Sequence, residues 1–139
     1  MPVAPRDVTV SASERDFPPG RRLHTPAEYA AAFAHRQVLR GPCFDLHCGA
    51  MRAGGAARLG LVIPKKLAKA AVLRNSIKRQ LREAFRMRAG ELPPRDLVFR
   101  LVRWPENMRR LARGGPEMRR QLRAEAEALM VRSLGARPA

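Results

Sequence analysis

RLGLVIPKKLAKAAVLRNSIKRQLREAFR, residues 58–86, joins two periodicities in one segment. Leu59 to Ile63 form a short apolar run that Pro64 ends, the pattern of a strand. From 71 to 89 the spacing predicts a helix, stopped by Gly90. Projected at about 100° per residue with Arg74 at zero, Lys78, Arg82, Asn75, Arg86 and Arg79 fall between roughly 40° and 140°. Leu73, Ala84, Ile77 and Leu81 occupy roughly 260° to 340°, with Phe85 at the seam at about 20°. One side of this helix suits a core; the other carries Arg74, Lys78, Arg79, Arg82, Arg86 and the amide of Asn75. Like charges one turn apart oppose each other by a few tenths of a kcal/mol per pair, so the arrangement needs a reason. Glu83 projects to about 180°, off the basic arc. It is the single acid among ten basic residues from Arg58 to Arg88 (Arg58, Lys65, Lys66, Lys69, Arg74, Lys78, Arg79, Arg82, Arg86, Arg88). A solvated helix face ordinarily mixes signs. A phosphate backbone accounts for a one-sided arc, because each contact gains by releasing counterions.

The rest of the chain carries the same imbalance. Its 139 residues favour one domain, and a hydrophobic content of 45% is ordinary for a folded protein. Lys and Arg number 28 against 12 acids, a net charge of +16. Such a surface repels itself unless a polyanion neutralises it, which points first to nucleic acid and second to an anionic membrane. No stretch reaches the roughly eighteen apolar residues of a membrane span, and MPVAPRDVTVSASERDFPPG, residues 1–20, lacks the apolar core of a signal peptide. Cys43 and Cys48 are expected on opposite faces of a strand, against a mutual disulfide and in favour of a reducing compartment, with the cytoplasm as default. The same alternation separates Cys48 from Cys43 and His47, so these three read as packing residues rather than metal ligands. The acids are scattered, with no carboxylate pair or metal cluster, so no catalytic residue is assigned.

Residues 1–20 contain four prolines and read as a flexible extension. Thr25-Pro26-Ala27-Glu28 is a capping box with Pro at the first helical position, predicting a helix to Arg36 with Tyr29 and Phe33 one turn apart. In CFDLHCGAM, residues 43–51, Phe44, Leu46 and Cys48 alternate with Cys43, Asp45 and His47, as in a half-buried strand. Gly54-Gly55 is expected to turn a hairpin from this strand into the one at 58–63. DLVFRLVRW, 96–104, reads as a buried strand, and Gly114-Gly115-Pro116 opens a last helix with the stripe Met118, Leu122, Ala126, Leu129 and Met130. If Phe44 packs inward, His47 joins Tyr29 and Phe33 as a floor for unpaired bases, each stack worth about 1–3 kcal/mol. Phe33 and Phe44 are also natural core residues.

Residues 58–86 resemble the signature segment of the bacterial ribonuclease P protein subunit through Gly60, Lys65-Lys66, Arg74-Asn75, Lys78-Arg79, Arg82-Glu83 and Phe85. RLHTPAEYAAAF, 22–33, resembles that family's first helix, with two aromatics four apart, and element order agrees over about 21–132. Ser76 stands where the family usually has a third motif Arg, and Pro64 where it tends to have a small residue. The resemblance implies an α+β fold: a two-layer sandwich with a four-stranded mixed sheet and three helices in the order α-β-β-β-α-β-α. Periodicity alone locates only three of those strands. A left-handed β-α-β crossover is likewise implied by the family, not by general rules, which favour the right hand. The organisation expected is an extension at 1–20, one RNA-binding domain at 21–132 and a tail at 133–139.

The resemblance also implies a function. Ribonuclease P removes the 5′ leader of precursor tRNA by magnesium-dependent hydrolysis. The catalytic groups lie in its RNA subunit, and the Mg is expected to be bound mainly by that RNA and the substrate. On this basis Lys65, Lys66, Arg74, Asn75, Lys78, Arg79, Arg82 and Arg86 are expected to contact the RNA subunit. Tyr29, Phe33 and His47, with Lys66 at the edge, are expected to line a cleft for the leader. The partners expected are that RNA and precursor tRNA, with no membrane and no obligate protein partner. A general RNA-binding protein of ribosomal type, with no role in cleavage, is the other reading of the charge and size. A membrane-surface helix would need bulky apolar residues to spare, and Ile77, Leu81 and Phe85 suit a core better.

Overall fold

The structure, a computed structural model, describes residues 21–135; the extension expected at 1–20 and residues 136–139 lie outside the described residues. The elements are α1 (Pro26–Ala34), β1 (Gln37–Arg40), β2 (Phe44–Cys48), β3 (Arg58–Val62), α2 (Ala71–Arg88), β4 (Asp96–Leu101) and α3 (Pro116–Gly135), with short 3-10 turns at Ala89–Glu91 and Glu106–Arg113. This is the expected mixed α+β order. The last helix runs past residue 132, where a tail was expected, to Gly135.

The capping box forms as spelled: the Thr25 hydroxyl accepts from the Glu28 amide at 3.2 Å, and the Glu28 carboxylate accepts from the Thr25 amide at 2.9 Å. α1 stops at Ala34 rather than at Arg36, because Arg36 adopts φ 60, incompatible with a continuing right-handed helix. β1 follows at once. It is a four-residue edge strand of half-buried and exposed residues, too short to announce itself by alternation.

The sheet order is β1-β2-β4-β3, antiparallel except for the parallel pair β3–β4. The hairpin expected at Gly54-Gly55 does not form, since β4 lies between β2 and β3. Gly55 does take a turn conformation, φ 91, but pairing is decided by burial. β4 is buried at every position but Arg100, so the centre of the sheet is where it loses most water. α2 makes the crossover that a parallel pair requires.

Side-chain alternation then divides the sheet. Phe44, Leu46, Cys48, Leu59, Leu97, Phe99 and Leu101 face Ile77, Leu81, Ala84 and Phe85 of α2 and the full predicted stripe of α3. The other face carries a smaller cluster of Leu23, Ala32 and Val98, with Tyr29, Phe33 and Val62 packed on it. α1 therefore lies across the face opposite α2 and α3. An ion network docks it: Arg58 bonds Glu28 at 3.0 Å and Asp96 at 2.8 and 2.9 Å, and Asp96 also accepts from Arg52 at 2.6 Å.

Candidate nucleic-acid interface

α2 starts without a side-chain cap at Ala70. Arg74, in its first turn, donates from Nη1 to the carbonyls of Ala68 at 3.0 Å and Lys69 at 2.7 Å. This ties the helix to the turn that presents Lys65 and Lys66, both exposed, just beyond β3. Arg86 is engaged internally with Glu83 at 2.8 Å, and that ion pair holds the Glu83 carboxyl below its ordinary range. Arg88 likewise pairs with Glu91. Among the described residues no salt bridge joins Lys65, Lys66, Arg74, Lys78 or Arg79 to a carboxylate.

The basic arc faces two ways. Lys78 and Arg82 line a hollow of about 110 Å³ with Arg22, Leu23, Tyr29, Leu59 and Leu61. Asn75 and Arg79 turn instead toward α3, lining a different hollow with Ser76 and Arg119. Phe85, projected at the seam, is fully buried. The Arg21 guanidinium lies 5.8 Å from its ring centroid.

α1 and the sheet bring the three aromatic candidates to one face. Tyr29 is half-buried, and its hydroxyl accepts from the Leu61 amide at 3.2 Å, an edge-strand donor with no strand beside it at that position. Phe33 and His47 meet edge to face, with centroids 4.6 Å apart and planes at 89°. Phe44 points the other way, fully buried against Phe99. Burial lowers the His47 pKa first; Asp45 opposes that shift, while Arg100 and Arg40 add to it. The ring is therefore predominantly neutral at pH 7. Lys66 makes no ring contact among the described residues.

Sequence reasoning passed over Arg100, exposed on the central strand and paired across to Asp45, beside Arg40 on β1. The alternation of Leu97, Phe99 and Leu101 against Val98 and Arg100 was the available signal. It also passed over Arg119, Arg120 and Arg123, which surround a hollow beside Gln80. Among the described residues, no group of three or more His, Cys, Asp or Glu is placed to hold a metal ion, and no helix is long and apolar enough to cross a membrane.

A family model described as Ribonuclease P matches residues 17–113. The ribonuclease P protein component of Bordetella avium (strain 197N) is 49% identical over 86 residues, 61% of this chain and 72% of that protein. Its counterpart in Bordetella petrii is 44% identical over 106 residues, 70% of this chain and 86% of that one. Among solved structures, the Staphylococcus aureus RNase P protein aligns with a TM-score of 0.67 over 81% of this chain and 94% of that chain, at 21% identity, and so shares its fold.

Proposed function

This chain belongs to the ribonuclease P protein family and is the protein subunit of a ribonuclease P, and from that premise we propose how its surfaces divide the work. The basic residues of α2, Arg74, Lys78, Arg79, Arg82 and Arg86, with Asn75 among them and Lys65 and Lys66 of the turn before it, grip the backbone of the ribonuclease P RNA. The face between α1 and the sheet, with Tyr29, Phe33 and His47 and with Lys66 beyond its edge, takes the single-stranded 5′ leader of precursor tRNA. The observation that carries this reading is the shared hollow: Lys78 and Arg82 meet Tyr29 there. Cations for phosphates and a ring for bases thus adjoin along one path, as a single strand of RNA requires.

Cleavage chemistry is assigned to the RNA subunit, and magnesium mainly to that RNA and the substrate. The chain's own residues bind and orient: arginine forks fix phosphates, and the neutral His47 edge on Phe33 offers an apolar floor. Cys43 and Cys48 are buried free thiols, and burial, with Glu125 beside it, pushes Cys43 up to about 12. Unreactive thiols of this kind suit a reducing cytoplasm, where we place the protein.

Reconstitution with the RNA subunit at low magnesium tests the assignment. The protein should raise the cleavage rate of precursor tRNA; no effect would leave only a general RNA binder. Lys78→Ala with Arg82→Ala should lower the slope of log affinity against log salt for the RNA subunit by about two. An unchanged slope would show those residues to be idle.

A further inference from the structure

The side of α2 turned away from α1 opens on a second groove. Two adjoining hollows of about 490 and 450 Å³ run between α2 and α3, and Gln80 and Arg119 line both. Arg120 and Arg123 of α3 border one hollow, and Arg79 and Ser76 of α2 border the other. Four guanidinium groups thus surround a trough whose only acidic lining residue, among the described residues, is Glu127.

Three features mark it as built rather than incidental. Among the described residues no salt bridge reaches Arg79, Arg119, Arg120 or Arg123. The nearby carboxylate that feels Arg79 and Arg123, Glu83, is already bonded to Arg86. Arg123 is also oriented: its Nε and Nη2 both donate to Gln80 Oε1, at 3.1 and 2.9 Å. Gln80 is only 6% exposed, on a helix face otherwise given to Ile77, Leu81 and Ala84, so a polar group is kept in the core to aim a cation. Finally, Arg119 and Arg120 lie close to the start of α3 at Pro116, where the helix dipole is positive and cations are disfavoured. In that first turn Glu117, bonded to Arg110 at 2.7 Å, is the acid at hand, and Arg119 and Arg120 remain without a salt bridge among the described residues. Two adjoining hollows, lined by four cations, fit successive phosphates of a chain better than one free anion.

We propose that this α2–α3 groove is a second RNA-backbone track, taking phosphates of the ribonuclease P RNA on Arg119, Arg120, Arg123 and Arg79. It is separate from the Lys78–Arg82 hollow, and it rests on the reading that α2 docks on that RNA. Ser76 borders the trough without charge, and Arg119 supplies a cation there from the neighbouring helix.

The test uses the full chain and the full-length RNA subunit. Arg119→Gln with Arg120→Gln should weaken binding roughly tenfold near 0.15 M salt and lower the log–log salt slope by about 1.5. A charge-matched control, Arg109→Gln with Arg113→Gln, removes two exposed cations that line neither hollow. It should lower the slope by less than half as much. Ser76→Arg placed in the Arg119→Gln chain should restore most of the lost slope, because it returns a cation to the same hollow. Reconstituted holoenzymes saturated with RNA subunit should then bind precursor tRNA with wild-type affinity. If the groove pair leaves the slope unchanged, or the control matches it, the groove is no track. If only precursor tRNA affinity falls, the track serves the substrate and the proposal fails in its choice of partner. If the wild-type chain does not bind the RNA subunit at all, it is the proposed function that fails.

Discussion

Gly60 decides where Tyr29 can lie. A Cβ built there would stand 2.7 Å from Tyr29 Cε1 and 2.9 Å from Leu23 Cδ1. The ring of the first aromatic candidate therefore rests directly on the β3 backbone, with its hydroxyl on the next amide. Gly60→Ala should push the ring off the strand, lowering stability by about 1–3 kcal/mol in urea unfolding. It should weaken binding of leader-bearing precursor more than of leaderless tRNA; equal losses for both would take Tyr29 out of the leader path. Much of this geometry was legible: helical spacing paired Tyr29 with Phe33, and strand alternation set His47 opposite Phe44. Gly60 was legible only as a strand glycine. What it makes room for comes from a helix some thirty positions earlier, which no local pattern encodes.

At the scale of elements, the helices were easier to read than the sheet. Capping residues, glycine stops and apolar stripes are local, and α1, α2 and α3 follow them closely. Strand order is not local. The Gly54-Gly55 turn suggested a hairpin, but β4, buried at every position except Arg100 and more than thirty residues downstream, claims the place between β2 and β3. β1, the missed strand, is held at the edge partly from outside the sheet, where Arg132 of α3 donates to the Arg40 carbonyl at 2.9 Å. Glu125 of α3 fastens the neighbouring turn, its Oε2 accepting from the amides of Cys43 at 2.9 Å and Phe44 at 2.7 Å. Glu125→Ala would strand two buried donors and should destabilise the fold by about 2–4 kcal/mol. Burial raises the Glu125 pKa above its ordinary value of 4.5 against the pull of those two amides. The folded state then holds this proton more tightly than the unfolded chain does. Its contribution to stability is greatest at pH below 4.5 and declines as pH climbs through the raised value. Glu125→Gln keeps an acceptor and should flatten that part of a stability–pH curve; an unaltered curve would show that Glu125 does not titrate there.

For the molecule as a whole, the excess of 28 basic residues over 12 acids announced a polyanion before any contact was known. What the count hid was its distribution. Arg58 and Arg52 converge on Asp96 inside the protein, and Arg86 and Arg88 are matched by Glu83 and Glu91. Cations that line open hollows instead gather along α2 and, from the other end of the sequence, along α3, and Arg86 would have to exchange Glu83 for phosphate to join the proposed grip. The parallel crossover adds a consequence in time. The residues proposed for the leader face and the basic arc of α2 have all been synthesised by Arg86, yet the strand inside the sheet between its neighbours, Asp96–Leu101, comes later. A nascent chain released at residue 91 would carry those groups and still lack the centre of its sheet. Such a fragment should give a random-coil circular dichroism spectrum and no saturable affinity for the ribonuclease P RNA, whereas one ending at 135 should have both a folded spectrum and tight binding. Specific recognition of that RNA would thus wait for the last strand of the sheet, although the cations of the unfinished chain attract any polyanion.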